Sequence, residues 1–126
     1  MNDESPGEVQ YPGLRGDVIV ALERFATLTP QTVEQQGGAL TDAVHWLVDD
    51  TFWDLRDPSE DIGYRLRDGE EVAAIKAVLE PLLAVLGQLG PVRPDVEYLA
   101  HRRWSDVMAN AGAAHRLLVA NDAQSR

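Results

Sequence analysis

Carboxylates and aromatic rings crowd one stretch of this chain, ALTDAVHWLVDDTFWDLRDPSEDIGYRL, from Ala39 to Leu66. Between Asp42 and Asp61 seven acids stand against one arginine. Side chains of this kind can hold a divalent cation, relay a proton, or meet a positively charged surface. The clustered Asp49, Asp50, Asp54 and Asp57 could serve magnesium, but such sites combine one or two carboxylates with substrate phosphate. The glycine pairs Gly13/Gly16 and Gly37/Gly38 match no phosphate-cradling loop. Asp57, Ser59, Asp61 and Asp68 fall at the first, third, fifth and twelfth places of a calcium loop. The pattern fails at Ile62, where that turn needs glycine, and at Asp68, where glutamate is usual. No metal ligand set is assigned and no cofactor is expected.

Proton chemistry fares no better. His45 has Asp49 four residues on, a spacing that suits a boundary histidine bonded to its neighbour as well as a general base. His101 and His115 stand beside Arg102, Arg103 and Arg116, cationic company that disfavours a metal. No serine lies in a nucleophile-elbow context. Cysteine is absent, which removes thiolates, disulfides and cysteine zinc sites together. Carboxylate pairs are abundant, but in an acidic chain abundance specifies nothing. No catalytic residue is assigned, and an enzyme is not expected; the alternative is a divalent-metal-dependent enzyme or sensor built on Asp49, Asp50, Asp54 and Asp57.

The charge pattern points to the third option. Of a net charge of −10, residues 1–63 contribute all, with 13 acids against three arginines, whereas residues 64–126 balance eight acids with eight bases. Nucleic-acid binding is disfavoured, because it rests on Lys and Arg meeting phosphates. A one-sided acidic face attracts and orients a basic partner instead. The basic cluster His101-Arg102-Arg103 is expected to pair internally with the acidic centre. No uninterrupted run of about 18 apolar residues marks a membrane span. The polar start MNDESPGEVQ lacks the features of a secretory signal, so a cytoplasmic protein is expected.

The elements that must position these groups read as helices throughout. Leu14, Val18, Ala21, Leu22, Phe25 and Leu28 recur at helical spacing. Thr29-Pro30 then caps a weak helical turn that Gly37-Gly38 closes. On a wheel of 100° per residue the central helix puts Leu40, Ala43, Val44, Leu47, Thr51 and Leu55 on one side, with Phe52 at its margin. Asp42, Trp46, Asp49 and Trp53 fall opposite, with Asp50 at the edge. A helix apolar on both faces is usually central, which would make both tryptophans core. The other reading is an exposed anchor patch, since aromatic residues are enriched at binding hot spots. Asp57-Pro58 predicts a stop near Leu55.

Asp68 caps the most hydrophobic helix, which carries Val72, Ile75, Leu79, Leu82, Leu86 and Leu89, with a kink expected at Pro81. Asp95 opens a short turn. A last helix starts near Ser105, with Trp104, Val107, Met108, Ala111, His115 and Leu118 on one stripe, and ends at Asn121-Asp122. No segment alternates with period two. The expectation is all-α: a single compact bundle of about four principal helices plus accessory helical turns. Residues 1–10 read as a flexible N-terminal segment, 11–122 as one helical domain, and 123–126 as a flexible tail.

The segments YPGLRGDVIVAL, HWLVDDTFWDLRDPSEDIGYRL and YLAHRRWSDVMANA together resemble a family of short, acidic, uncharacterised all-α proteins common in actinobacteria. The resemblance spans Tyr11 to Leu118 and implies a single helical domain, with no activity, cofactor or site residue attached. The chain departs from it at 29–38, which is more polar than the resemblance implies. The functional expectation is a small non-catalytic binding protein, an immunity- or antitoxin-like inhibitor of a basic protein. Its partner-binding residues would be Asp42, Trp46, Asp49, Asp50, Trp53, Asp54 and Asp57.

Overall fold

Six α-helices, and no strand, account for the described residues of the computed structural model, which are 8–90 and 93–124. Helix α1 spans Pro12–Thr27, α2 Pro30–Gln35 and α3 Ala39–Val44. Helix α4 spans Gly69–Leu89, α5 Asp95–Leu99 and α6 Trp104–Gln124. The architecture is the expected all-α bundle. Helix α4 packs along α6, α6 along α1, and α1 along α3. The expected flexible start lies outside the described residues at 1–7; the amide of Gln10 is held by the Gly63 carbonyl at 2.9 Å. The expected tail is helical as far as Gln124, and 125–126 lie outside the described residues.

Local chemistry explains most boundaries. Thr29 Oγ1 accepts the Thr32 amide at 3.1 Å, and Asp68 Oδ1 accepts that of Glu71 at 3.0 Å, so each supplies an acceptor for an otherwise unbonded first-turn N–H. Gly90, at φ +79°, ends α4 in a conformation open to glycine. The interdigitated core takes Phe25 and Leu22 from α1, Leu47 from the centre, Ile75 and Leu82 from α4, and Leu118 from α6, all without exposure. Trp104 tilts against Phe25 with centroids 6.1 Å apart.

Pro81 lies inside α4, and the helix runs on through it to Leu89. A proline at this place cannot donate to the carbonyl four residues back, that of Ala77. Asn110 of α6 supplies the missing donor, its Nδ2 lying 2.8 Å from the Ala77 oxygen. By length and composition α4 also meets the demands of a membrane-crossing helix, with an 18-residue window of mean hydropathy 1.7. That feature was masked in the sequence by the charges of Lys76 and Glu80. Here α4 packs along α6, with Val72, Ile75, Val78, Leu79, Leu82 and Val85 buried.

The central helix departs from expectation. Instead of continuing to Leu55, α3 widens into a π-helical turn over His45–Asp49, where the Asp50 amide reaches back five residues to the His45 carbonyl at 2.8 Å. Thr51 then stops it. Its buried hydroxyl donates to the Leu47 carbonyl at 2.7 Å, an acceptor the next turn would have used, and accepts the Trp53 amide at 3.1 Å. Phe52 takes a left-handed conformation, φ +60°, and the chain reverses. The 100° register on which the wheel relied is therefore lost after Val48.

Candidate functional site

The reversal exchanges the roles of the aromatic residues. Trp53 is not an exposed anchor: it turns into the core, 3% exposed, with Nε1 donating to Asp61 at 3.0 Å. Trp46 is half-buried on the π turn and lies under the Arg24 guanidinium, 5.5 Å from its ring centre. In their place the turn 50–57 presents Phe52, 59% exposed, and Leu55, 81% exposed. On a helix continued to Leu55, Leu55 would lie on the apolar side and Phe52 at its margin. Asp50 and Asp54 alternate with them and are exposed. Asp42 and Asp49 are exposed on α3 and its π turn.

Two of the acidic residues have local partners. Asp49 Oδ2 lies 2.6 Å from His45 Nδ1, as the i,i+4 spacing suggested. Asp57 caps the 3₁₀ turn Pro58–Asp61 through the Ser59 amide at 2.8 Å and pairs with Lys76 of α4 at 2.8 Å. The Lys76 bond and the Ser59 amide hold the Asp57 carboxyl at about 2, below the ordinary 3.8. Asp54, Leu55 and Asp57 line a shallow depression of about 400 Å³ whose far side is Lys76, Leu79 and Glu80.

Asp61 organises this region from below. Its buried carboxylate accepts from Trp53 Nε1, from Arg65 Nη1 at 2.9 Å and from Arg56 Nη2 at 2.8 Å. Its carbonyl collects the amides of Tyr64, Arg65 and Leu66. A carboxylate so engaged is a strut of the turn and not a calcium ligand, and Asp68 is likewise engaged as the α4 cap. Among the described residues no three histidines or carboxylates converge to hold a metal ion, and this includes Asp49, Asp50, Asp54 and Asp57.

The basic cluster does not meet the acidic centre. Arg103 stands at the start of α6, and because α6 packs on α4 its nearest carboxylate is Glu80, with bonds of 2.8 and 2.5 Å. Those bonds hold the Glu80 carboxyl below its ordinary value. His101 Nε2 meets Gln88 Oε1 at 2.6 Å.

Sequence reasoning missed a buried ionic centre. Arg15 of α1 and Glu71 of α4 are shut off from water, joined by bonds of 2.8 Å. Arg15 Nε also donates to Asp122 at 3.0 Å, and Asn121 and the Arg67 amide each donate to Glu71 at 2.8 Å. The signal was present. Arg15 falls on the stripe of Val18, Leu22 and Phe25, and Glu71 on that of Ile75, Val78 and Leu82, so each is a charge on an apolar face.

The fold and site define a small all-α domain with an acidic, aromatic-tipped turn. The chain belongs to the family described as Domain of unknown function (DUF7945), whose model matches residues 9–126. No curated protein and no solved structure matches the chain.

Proposed function

We propose that this protein is a small acidic binding protein that docks on a basic protein surface through the turn 50–57. Phe52 and Leu55 are the apolar anchors. Asp50, Asp54 and Asp57, with Asp42 and Asp49 on the adjoining helix, form the charged rim. An inhibitor of the immunity or antitoxin kind, covering the basic active site of a cytoplasmic partner, has this chemistry.

One observation carries the reading. A bulky residue, Phe52, is held at φ +60° and points to water within the most acidic segment of the chain. Such a conformation costs about 1–3 kcal/mol and persists only where the surroundings impose it. Burying the ring in a partner adds apolar contact that the free protein lacks. The carboxylates around it speed and orient the encounter with a cationic surface.

The test is capture of the partner from the native source, followed by kinetics with that partner purified. A basic partner is expected, with Phe52→Ala and Leu55→Ala speeding dissociation. Asp50→Asn with Asp54→Asn should slow association and flatten its salt dependence. An acidic partner, or rates untouched by all four changes in folded variants, would overturn the proposal.

A further inference from the structure

Four large apolar side chains come to the surface on two segments far apart in the chain. Tyr11 precedes α1 and Leu14 lies in its first turn, while Ile62 and Tyr64 follow the 3₁₀ turn. Backbone bonds join the two segments. The Gln10 amide donates to the Gly63 carbonyl at 2.9 Å, and the Tyr11 amide to the Tyr64 carbonyl at 3.0 Å. The rings of Tyr11 and Tyr64 also meet, edge to face, with centroids 4.6 Å apart. Apolar residues exposed singly are ordinary, but a joined group of them marks an interaction surface.

Charge is sorted around this face. The arginines of the two segments turn inward. Arg15 is buried against Glu71, and Arg65 and Arg67 bond Asp61 and Asp122 with side chains 12% and 10% exposed. The carboxylates stay outside: Asp17, one turn along α1 from Leu14, and Glu8, ahead of Tyr11, are both exposed. The face also adjoins the docking turn. Arg65 Nη2 lies 3.5 Å from the Asp50 carbonyl, and the Asp61 carboxylate bonds both Trp53 and Arg65.

Building on the docking turn 50–57, and resting on that reading, we propose that the Tyr11–Tyr64 face binds a second segment of the same basic protein partner. That segment carries arginine or lysine between apolar side chains. The tyrosine rings take the cations, Leu14 and Ile62 take the apolar neighbours, and Glu8 and Asp17 attract the charge. A second copy of this chain is the poorer occupant, because it would bring like carboxylates together.

The experiment titrates the isotope-labelled full chain with a short peptide of alternating arginine and leucine, blocked at both ends, and follows amide shifts by NMR. Saturable shifts at residues 8–17 and 62–65 are expected, together with shifts at 50–57. Tyr11→Ser and Tyr64→Ser keep the backbone bonds and should each weaken binding roughly two- to fivefold, the worth of one exposed cation–π contact. Melting curves check that both are folded; where one is not, Leu14→Gln reads the same contact. Shifts at 50–57 alone, or affinity unchanged in the folded variants, would overturn this proposal and leave the docking turn standing. Shifts at 8–17 and 62–65 alone would uphold this face and remove the turn from the interface. Equal binding of a glutamate–leucine peptide, or no saturable shift on either face, would overturn both. Sedimentation of the free chain at the NMR concentration tests the other occupant. A dimer that Tyr64→Ser dissolves would assign the face to a second copy and overturn the proposal.

Discussion

Arg15 and Glu71, 56 residues apart in the chain, face each other through two parallel hydrogen bonds of 2.8 Å, with neither side chain open to water. The pair locks the start of α1 to the start of α4, and Asn121 and Asp122 bring in the end of α6. Removing one partner strands a charge in the core. Glu71→Ala should therefore lower unfolding free energy by roughly 3–5 kcal/mol in denaturant titration. Arg15→Met combined with Glu71→Leu should cost far less, because no uncompensated charge remains.

The same pair gives stability an acid limb. Burial alone would raise the Glu71 carboxyl, but bonds from Arg15, Asn121 and the Arg67 amide outweigh it and hold the group below its ordinary 4.5. A depressed carboxyl stabilises the fold fully above its unfolded value and loses that contribution as pH falls through the folded one. Asp57, with a folded value of about 2 against 3.8, adds a loss between those two values. Melting temperature should fall as pH drops below about 4.5 and continue falling towards about 2. Glu71→Gln should flatten that limb from about 4.5 downward, and Asp57→Asn should flatten it between about 3.8 and 2.

Trp53 should behave as a core residue. Trp53→Ala removes a buried ring and strands the Asp61 oxygen that accepts its N–H. A loss of about 3–5 kcal/mol is expected by thermal or denaturant unfolding. A near-neutral result would return this ring to the surface.

Phe52 should behave in the opposite way. Glycine adopts φ +60° without strain, so Phe52→Gly should leave the free protein equally stable or up to about 1 kcal/mol more stable by denaturant titration. Partner dissociation should quicken in the same variant.

Helix placement was legible because it rests on short-range regularities. The stripe from Val18 to Phe25, the caps at Thr29 and Asp68, and the core places of Leu47, Leu82 and Leu118 are all where spacing put them. The failures are where a single hydroxyl or a long-range partner decides. Thr51 is unremarkable on a wheel, yet its bond to the Leu47 carbonyl ends the helix and sends Trp53 inward and Leu55 outward. Glu71 reads as a first-turn acid until a charge 56 residues earlier is brought against it. Arg103 could have met any carboxylate, and only the packing of α6 on α4 selects Glu80.

The Asn110 amide and Pro81 form a single unit through the Ala77 carbonyl. The side chain at 110 has its bond to Ala77 only because the residue at 81 lacks an N–H. Asn110→Ala should cost about 1 kcal/mol in this chain and less once Pro81→Ala restores the helix's own donor, a coupling that a double-mutant cycle reads directly. Over descent the two positions would then be inherited as one character. A lineage that loses the proline frees position 110 to drift, and one that keeps it holds a donor there.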